Sequence, residues 1–140
     1  MTHLSVVIIT LNEERNIGRC LQSVSGIADD VVVVDSGSTD RTADICREYG
    51  ARFISHPWLG FAETKNFANS QAKYPLILSL DADEALSEQL IASIEKVKET
   101  ESSASFSMNR LTNYCGQWIR HCGWYPDRKI RLFNRSSARW

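Results

Sequence analysis

The stretch Leu4-Ser5-Val6-Val7-Ile8-Ile9-Thr10 constrains the fold more than any other feature of this chain. It is a nearly continuous run of β-branched residues, the pattern of a strand covered on both faces. Asp30-Val31-Val32-Val33-Val34-Asp35 repeats it. Between the two, Ile17, Cys20, Leu21 and Val24 recur at helical spacing, and Gly26 ends that segment. Asn12 is expected to cap this helix, with Glu13 and Glu14 in its first turn near the positive end of the dipole. Ser36-Gly37-Ser38-Thr39-Asp40 reads as a tight turn into a helix from Arg41 to Tyr49, closed by Gly50. Arg52 to Ser55 is a short third strand, Phe61 to Lys73 a helix, and Leu76 to Leu80 a fourth strand. Ser87 caps a further helix running to Thr100, with Leu90, Ile91, Ile94 and Val97 inward. Alternation of this kind predicts an α/β fold: a mostly parallel, Rossmann-like sheet with helices on both faces.

Ligands of such sheets bind beyond the carboxyl ends of the strands. Three polar clusters fall at those ends: Thr10 to Glu13, Asp35 to Ser38, and Asp81-Ala82-Asp83. In an extended backbone residues two apart point the same way, so Asp81 and Asp83 are expected to aim at one spot, with small Ala82 between them. Two converging carboxylates suit a hard divalent cation, Mn²⁺ or Mg²⁺, which can bridge to phosphate oxygens. The plainer reading of Asp-x-Asp is an exposed acidic turn. Glu84 is expected to start the next helix.

Beyond residue 100 the pattern changes. Ala104 to Leu111 looks like a strand, and Lys129-Ile130-Arg131-Leu132-Phe133 alternates like a half-exposed one. Between them lies the aromatic, glycine-containing segment from Tyr114 to Pro126. The chain stops at Arg139-Trp140 with no closing helix, so the domain is expected to be C-terminally truncated.

A net charge of −1 gives no bulk attraction to nucleic acid, and none is expected as a partner. Arg120, Arg128, Lys129, Arg131, Arg135 and Arg139 nevertheless crowd the last stretch against Asp127 alone. They form either a solvated face or a surface for an anionic substrate or a membrane. No apolar run approaches the ~18 residues of a membrane span, and Met1-Thr2-His3 opens no signal peptide, so a cytoplasmic location is expected. Cys20 and Cys46 fall on helix faces as buried thiols, while the spacing of Cys115, His121 and Cys122 matches no common zinc site.

Ser5 to Val24, Val31 to Asp40, Ala62-Glu63-Thr64-Lys65-Asn66-Phe67-Ala68 and Leu80 to Glu84 together resemble, in order and spacing, the family 2 glycosyltransferases of the GT-A fold. Asn12-Glu13-Glu14, Trp124-Tyr125-Pro126 and Arg128 to Phe133 are similar to the subgroup that builds lipopolysaccharide core. The resemblance implies a nucleotide-sugar-binding α/β half over residues 1–103 and the start of an acceptor-binding part, incomplete, over 104–140. It implies that Asp35 accepts a hydrogen bond from a nucleobase, usually uracil, and that Thr10, Asn12 and Glu13 line the base pocket. Lys65 would stand near the base and diphosphate, Asp81 would hold the ribose or share the metal, and Asp83 would ligate it. Trp118, Trp124 and Tyr125 would flank a saccharide or lipid-linked acceptor, since aromatic faces pack on pyranose rings. The family's stacking aromatic near Leu11 or Asn12 is absent here.

The implied reaction is transfer of a hexose from a UDP-sugar with inversion. Asp127 is the only acid after Glu101 and sits in a basic turn, so the catalytic base is expected past Trp140, and residues 1–140 alone are expected to bind nucleotide weakly without turnover. In the full-length protein, contact with the inner face of the cytoplasmic membrane would fit the basic cluster. An open sheet edge would offer a route to a homodimer. Two alternatives remain: a non-catalytic sugar-nucleotide-binding module, and a nucleotidyltransferase, for which Thr10-Leu11-Asn12-Glu13-Glu14 lacks the glycine-rich phosphate loop.

Overall fold

The computed structural model describes residues 2–99, 106–110, 112–114, 117–119 and 127–135. In chain order its elements are β1 (Leu4–Thr10), α1 (Ile17–Val24), β2 (Asp30–Asp35), α2 (Thr42–Glu48), β3 (Arg52–Ser55), α3 (Phe61–Ser70), β4 (Leu76–Asp81), α4 (Glu88–Lys98), β5 (Phe106–Arg110), β6 (Thr112–Tyr114), β7 (Gln117–Ile119) and β8 (Asp127–Asn134). Six strands form one sheet in the order β3-β2-β1-β4-β8-β5, and β6 and β7 pair as a separate ribbon. β1 to β4 are mutually parallel, β8 is antiparallel to β4, and β5 is antiparallel to β8.

β1 lies at the centre because its side chains are apolar on both faces. Leu4, Val6 and Ile8 pack with Val33, Leu78 and Leu80 beneath α1 and α4. Val7, on the opposite face, packs with Val32, Val34, Ile77 and Ala68 of α3. α1 contributes Ile17, Cys20, Leu21 and Val24, all buried. Each such apolar side chain contributes about 2 kcal/mol on removal from water. The chain first winds outward from β1 to β2 and β3, then returns through α3 to place β4 on the other side of β1. This reversal opens a crevice between the carboxyl ends of β1 and β4.

The amino-terminal edge is tied by charge. Asp30 accepts from Ser5 Oγ (2.8 Å), Arg52 Nε (2.9 Å) and Nη2 (3.0 Å), and the Lys73 N–H (2.9 Å). Lys98, buried at the end of α4, donates to the Ile27 carbonyl (2.7 Å) and stands 3.0 Å from Asp29.

Several local expectations are corrected. Asn12 does not cap α1: its backbone is left-handed (φ 51°), and α1 begins at Ile17 after an Asn16 that makes no side-chain cap. α3 ends at Ser70, not Lys73. β4 does not stay extended through the acids, because a turn follows Asp81 in which the Glu84 N–H donates to the Asp81 carbonyl (3.0 Å). Glu84 does not start a helix; its carboxylate accepts the Asp81 N–H (2.8 Å), and α4 begins at Glu88 behind the Ser87 cap. β8 enters the sheet between β4 and β5, which alternation alone did not foretell.

Candidate functional site

The carboxyl rim is built from three loops. Strand register sets them level: Thr10 pairs with Asp35, and Ile9 with Asp81. With β1 between them, Asp35 and Asp81 stand about 10 Å apart, two strand spacings. Pleat alternation sends Asp35 to the α1–α2 face with Val33, and Asp81 to the α3 face with Ile77. The two acids therefore share a rim but open to opposite faces, so a ligand touching both lies across the strand ends.

Asp35 is buried and anchors its own turn. Its Oδ2 accepts from the Gly37 N–H (3.0 Å) and the Ser38 N–H (2.8 Å), and its Oδ1 accepts from Ser38 Oγ. Gly37 permits this with φ 105°, a region open to glycine. A carboxylate has about four lone-pair sites, so the turn leaves Asp35 room for one further donor.

The β1–α1 and β2–α2 loops are stitched together. The Asn12 N–H donates to Ser38 Oγ (2.7 Å), the Thr39 N–H to Asn12 Oδ1 (2.8 Å), and the Glu13 N–H to Thr42 Oγ1 (3.0 Å). The Glu14 N–H donates to Asp40 Oδ2 (3.2 Å), and the Arg41 N–H to Glu14 Oε2 (3.1 Å). Bonds from the Thr42 hydroxyl and N–H hold the Asp40 carboxyl below the usual aspartate range. Ser38 belonged to the polar cluster read from the sequence, but its bond across to Asn12, that of Asp40 to Glu14 and that of Thr42 to Glu13 have no local pattern to reveal them.

Thr10 is only 6% exposed, and its hydroxyl oxygen has no hydrogen-bond partner among the described residues. Lys65 is 7% exposed on α3, with Nζ 3.3 Å from Asp81 Oδ1. Asp83 is exposed in the turn that follows, and Arg19 of α1 holds that turn by donating to the Asp83 carbonyl (3.0 Å). Cys20 lies beneath it, and burial, reinforced by the negative charges of Glu84 and Asp83, pushes its thiol up to about 12. Cys46 lies beneath the Asp35 turn and is pushed up to about 11 by burial and then by the Asp35 charge.

Asp81 and Asp83 offer hard oxygen donors. Among the described residues no group of three His, Cys, Asp or Glu side chains is gathered to hold an ion. For the acceptor candidates, Trp118 is in β7, opposite Asn113; Trp124 and Tyr125 lie outside the described residues, as do Cys115, His121 and Cys122. Among the described residues no helix is long and apolar enough to cross a membrane.

The family model for "Glycosyl transferase family 2" matches residues 5–136. This chain belongs to glycosyltransferase family 2. LpsC of Rhizobium meliloti, a lipopolysaccharide core biosynthesis glycosyltransferase, is 44% identical over 148 residues, which cover 98% of this chain and 53% of LpsC. Among solved structures, Staphylococcus aureus TarS (residues 1–349) in complex with UDP superposes with a TM-score of 0.60 at 25% identity, over 84% of this chain and 38% of TarS. Glucosyl-3-phosphoglycerate synthase of Mycobacterium tuberculosis, in complex with Mn²⁺, UDP and glucosyl-3-phosphoglycerate, gives 0.59 at 26% identity, over 71% of this chain and 41% of that one. The family 2 chain described here spans about half the length of the curated relatives it matches. Its mostly parallel sheet is the GT-A architecture of these neighbours.

Proposed function

We propose that this chain carries the donor-binding half of an inverting glycosyltransferase that moves a hexose from a UDP-sugar to a saccharide or lipid-linked acceptor. The observation that carries the reading is the register at the switch point, which sets Thr10, Asp35 and Asp81 on one rim. UDP in the TarS complex and the lipopolysaccharide role of LpsC support the donor and acceptor classes.

Asp35 accepts from the uracil ring N–H with its remaining lone pair, a choice that favours bases presenting a donor there. The Thr10 hydroxyl finds in the nucleotide the partner it lacks among the described residues. Asn12 and Glu13, fixed by the stitched loops, wall the base pocket. Lys65 offsets the Asp81 charge and keeps the crevice from repelling a diphosphate. Asp83, with Asp81, would hold a divalent cation, which when bound neutralises charge on the departing diphosphate. Residues 1–103 hold the donor, and 104–140, with Trp118, Trp124 and Tyr125, begin the acceptor side.

Calorimetric titration with UDP, UDP-glucose, GDP and ADP, with and without Mn²⁺, tests this. Uridine nucleotides should bind best. Asp83→Ala should abolish only the metal-dependent part, and Asp35→Ala should weaken uridine nucleotides in either condition. Equal affinities for the parent and both variants would remove the assignment.

A further inference from the structure

We propose that the loop between β3 and α3 is a lipid-contacting tip that seats the donor rim against a membrane surface. Trp58, Leu59 and Phe61 are 49%, 54% and 69% exposed, an unusual concentration of large apolar side chains in four consecutive positions. The proposal rests on the lipid-linked case of the acceptor reading above.

The tip is held out rigidly. The His56 ring stacks on Phe67 at 3.7 Å between centroids, and the His56 N–H donates to the Asp35 carbonyl (2.9 Å). The loop is thus joined directly to the turn that would hold the base. At its far end the Leu59 N–H donates to Thr64 Oγ1 (3.1 Å), and Gly60 turns the chain into α3 with φ 89°. Trp58 and Phe61 meet edge to face at 4.9 Å, so the rings brace one another without covering one another. The ordering cost of presenting them is met before any contact is made.

The chemistry selects a lipid interface. A tryptophan ring with its N–H edge, flanked by leucine and phenylalanine, matches the side chains that settle at the headgroup boundary. His56 to Ala62 carries no acid and exposed Glu63 follows at the start of α3, a charge pattern that suits a zwitterionic headgroup surface rather than an anionic one. The tip lies at the carboxyl end of β3, on the same edge as Thr10, Asp35 and Asp81. Embedding it would bring the crevice to the height of a headgroup-borne sugar.

Three exposed side chains give weak, reversible attachment, so the test must read a weakly populated bound state. The chain is placed in phosphatidylcholine bicelles carrying a spin-labelled lipid, and the indole N–H signals of Trp58, Trp118, Trp124 and Trp140 are followed, with Trp58→Ser assigning the first. The expected result is the largest loss of intensity at Trp58, reduced in the Leu59→Ser/Phe61→Ser variant. Broadening strongest at another indole, no broadening, or broadening unchanged in the double variant would overturn the proposal. A Trp58 shift that follows protein concentration without lipid would assign the tip to a second copy and overturn it too. UDP affinity should be equal in parent and double variant, so failure of the tip proposal and failure of the donor-site reading are read separately.

Discussion

Replacing Thr10 by valine separates the protein's own needs from those of its ligand. The Thr10 hydroxyl is buried without a hydrogen-bond partner among the described residues, and such a group costs about 1–3 kcal/mol relative to one that is satisfied. Valine keeps the β-branched shape that suits β1 and removes the hydroxyl. The ligand-free variant should therefore gain about 1 kcal/mol, raising Tm by roughly 3 °C for a domain of this size. UDP should lose one neutral hydrogen bond, worth about 1 kcal/mol, and bind about fivefold more weakly. Thermal unfolding with and without UDP, together with titration calorimetry, measures both quantities on one sample. The reasoning requires opposite signs: stability up, affinity down. A variant that unfolds earlier without ligand, or one that binds UDP as the parent does, refutes it.

Asp30 should prove the main acid-sensitive anchor. Burial pushes its carboxyl up, but hydrogen bonds from Arg52, the Lys73 N–H and Ser5 pull harder the other way, so it titrates below the ordinary aspartate value of 3.8. Its contribution is therefore complete above that value and is lost as pH falls through the folded pKa. Asp30→Ala, which removes the acceptor of the Ser5 hydroxyl, the Arg52 guanidinium and the Lys73 N–H while Ser5 Oγ still accepts from the Tyr74 N–H, should cost about 3 kcal/mol at pH 7 by chemical denaturation. Its deficit against the parent should shrink toward pH 2; a constant gap would contradict the linkage. Gly60→Ala meets no steric obstacle but forces alanine to φ 89°, so a loss of about 1–3 kcal/mol is expected from the same measurement, and no loss would show that the loop turn relaxes freely.

The strands were legible because burial on both faces writes itself as β-branched runs, as in Leu4 to Thr10 and Asp30 to Asp35. α1 was legible in its apolar stripe but not in its start. Asn12 has the chemistry of a cap, yet its carboxamide is taken by Thr39, 27 residues away, a partner with no local signature. The same limit applies at Asp81 and Asp83, where an extended reading holds only until the Glu84 carboxylate captures the Asp81 N–H and folds the acids into a turn. Lys65 was placed near the base and diphosphate by the family resemblance alone; its burial follows from where α3 crosses the sheet, which depends on strand order rather than on neighbours in sequence.

The two shielded thiols give each wall of the crevice its own chemical clock. Cys20 sits under one acidic turn and Cys46 under the other, and both stay protonated at neutral pH. With Cys115 and Cys122 changed to serine, an alkylating reagent can reach either sulfur only when the turn above it lifts. The two labelling rates would then time the breathing of each wall separately, with no probe added to the molecule.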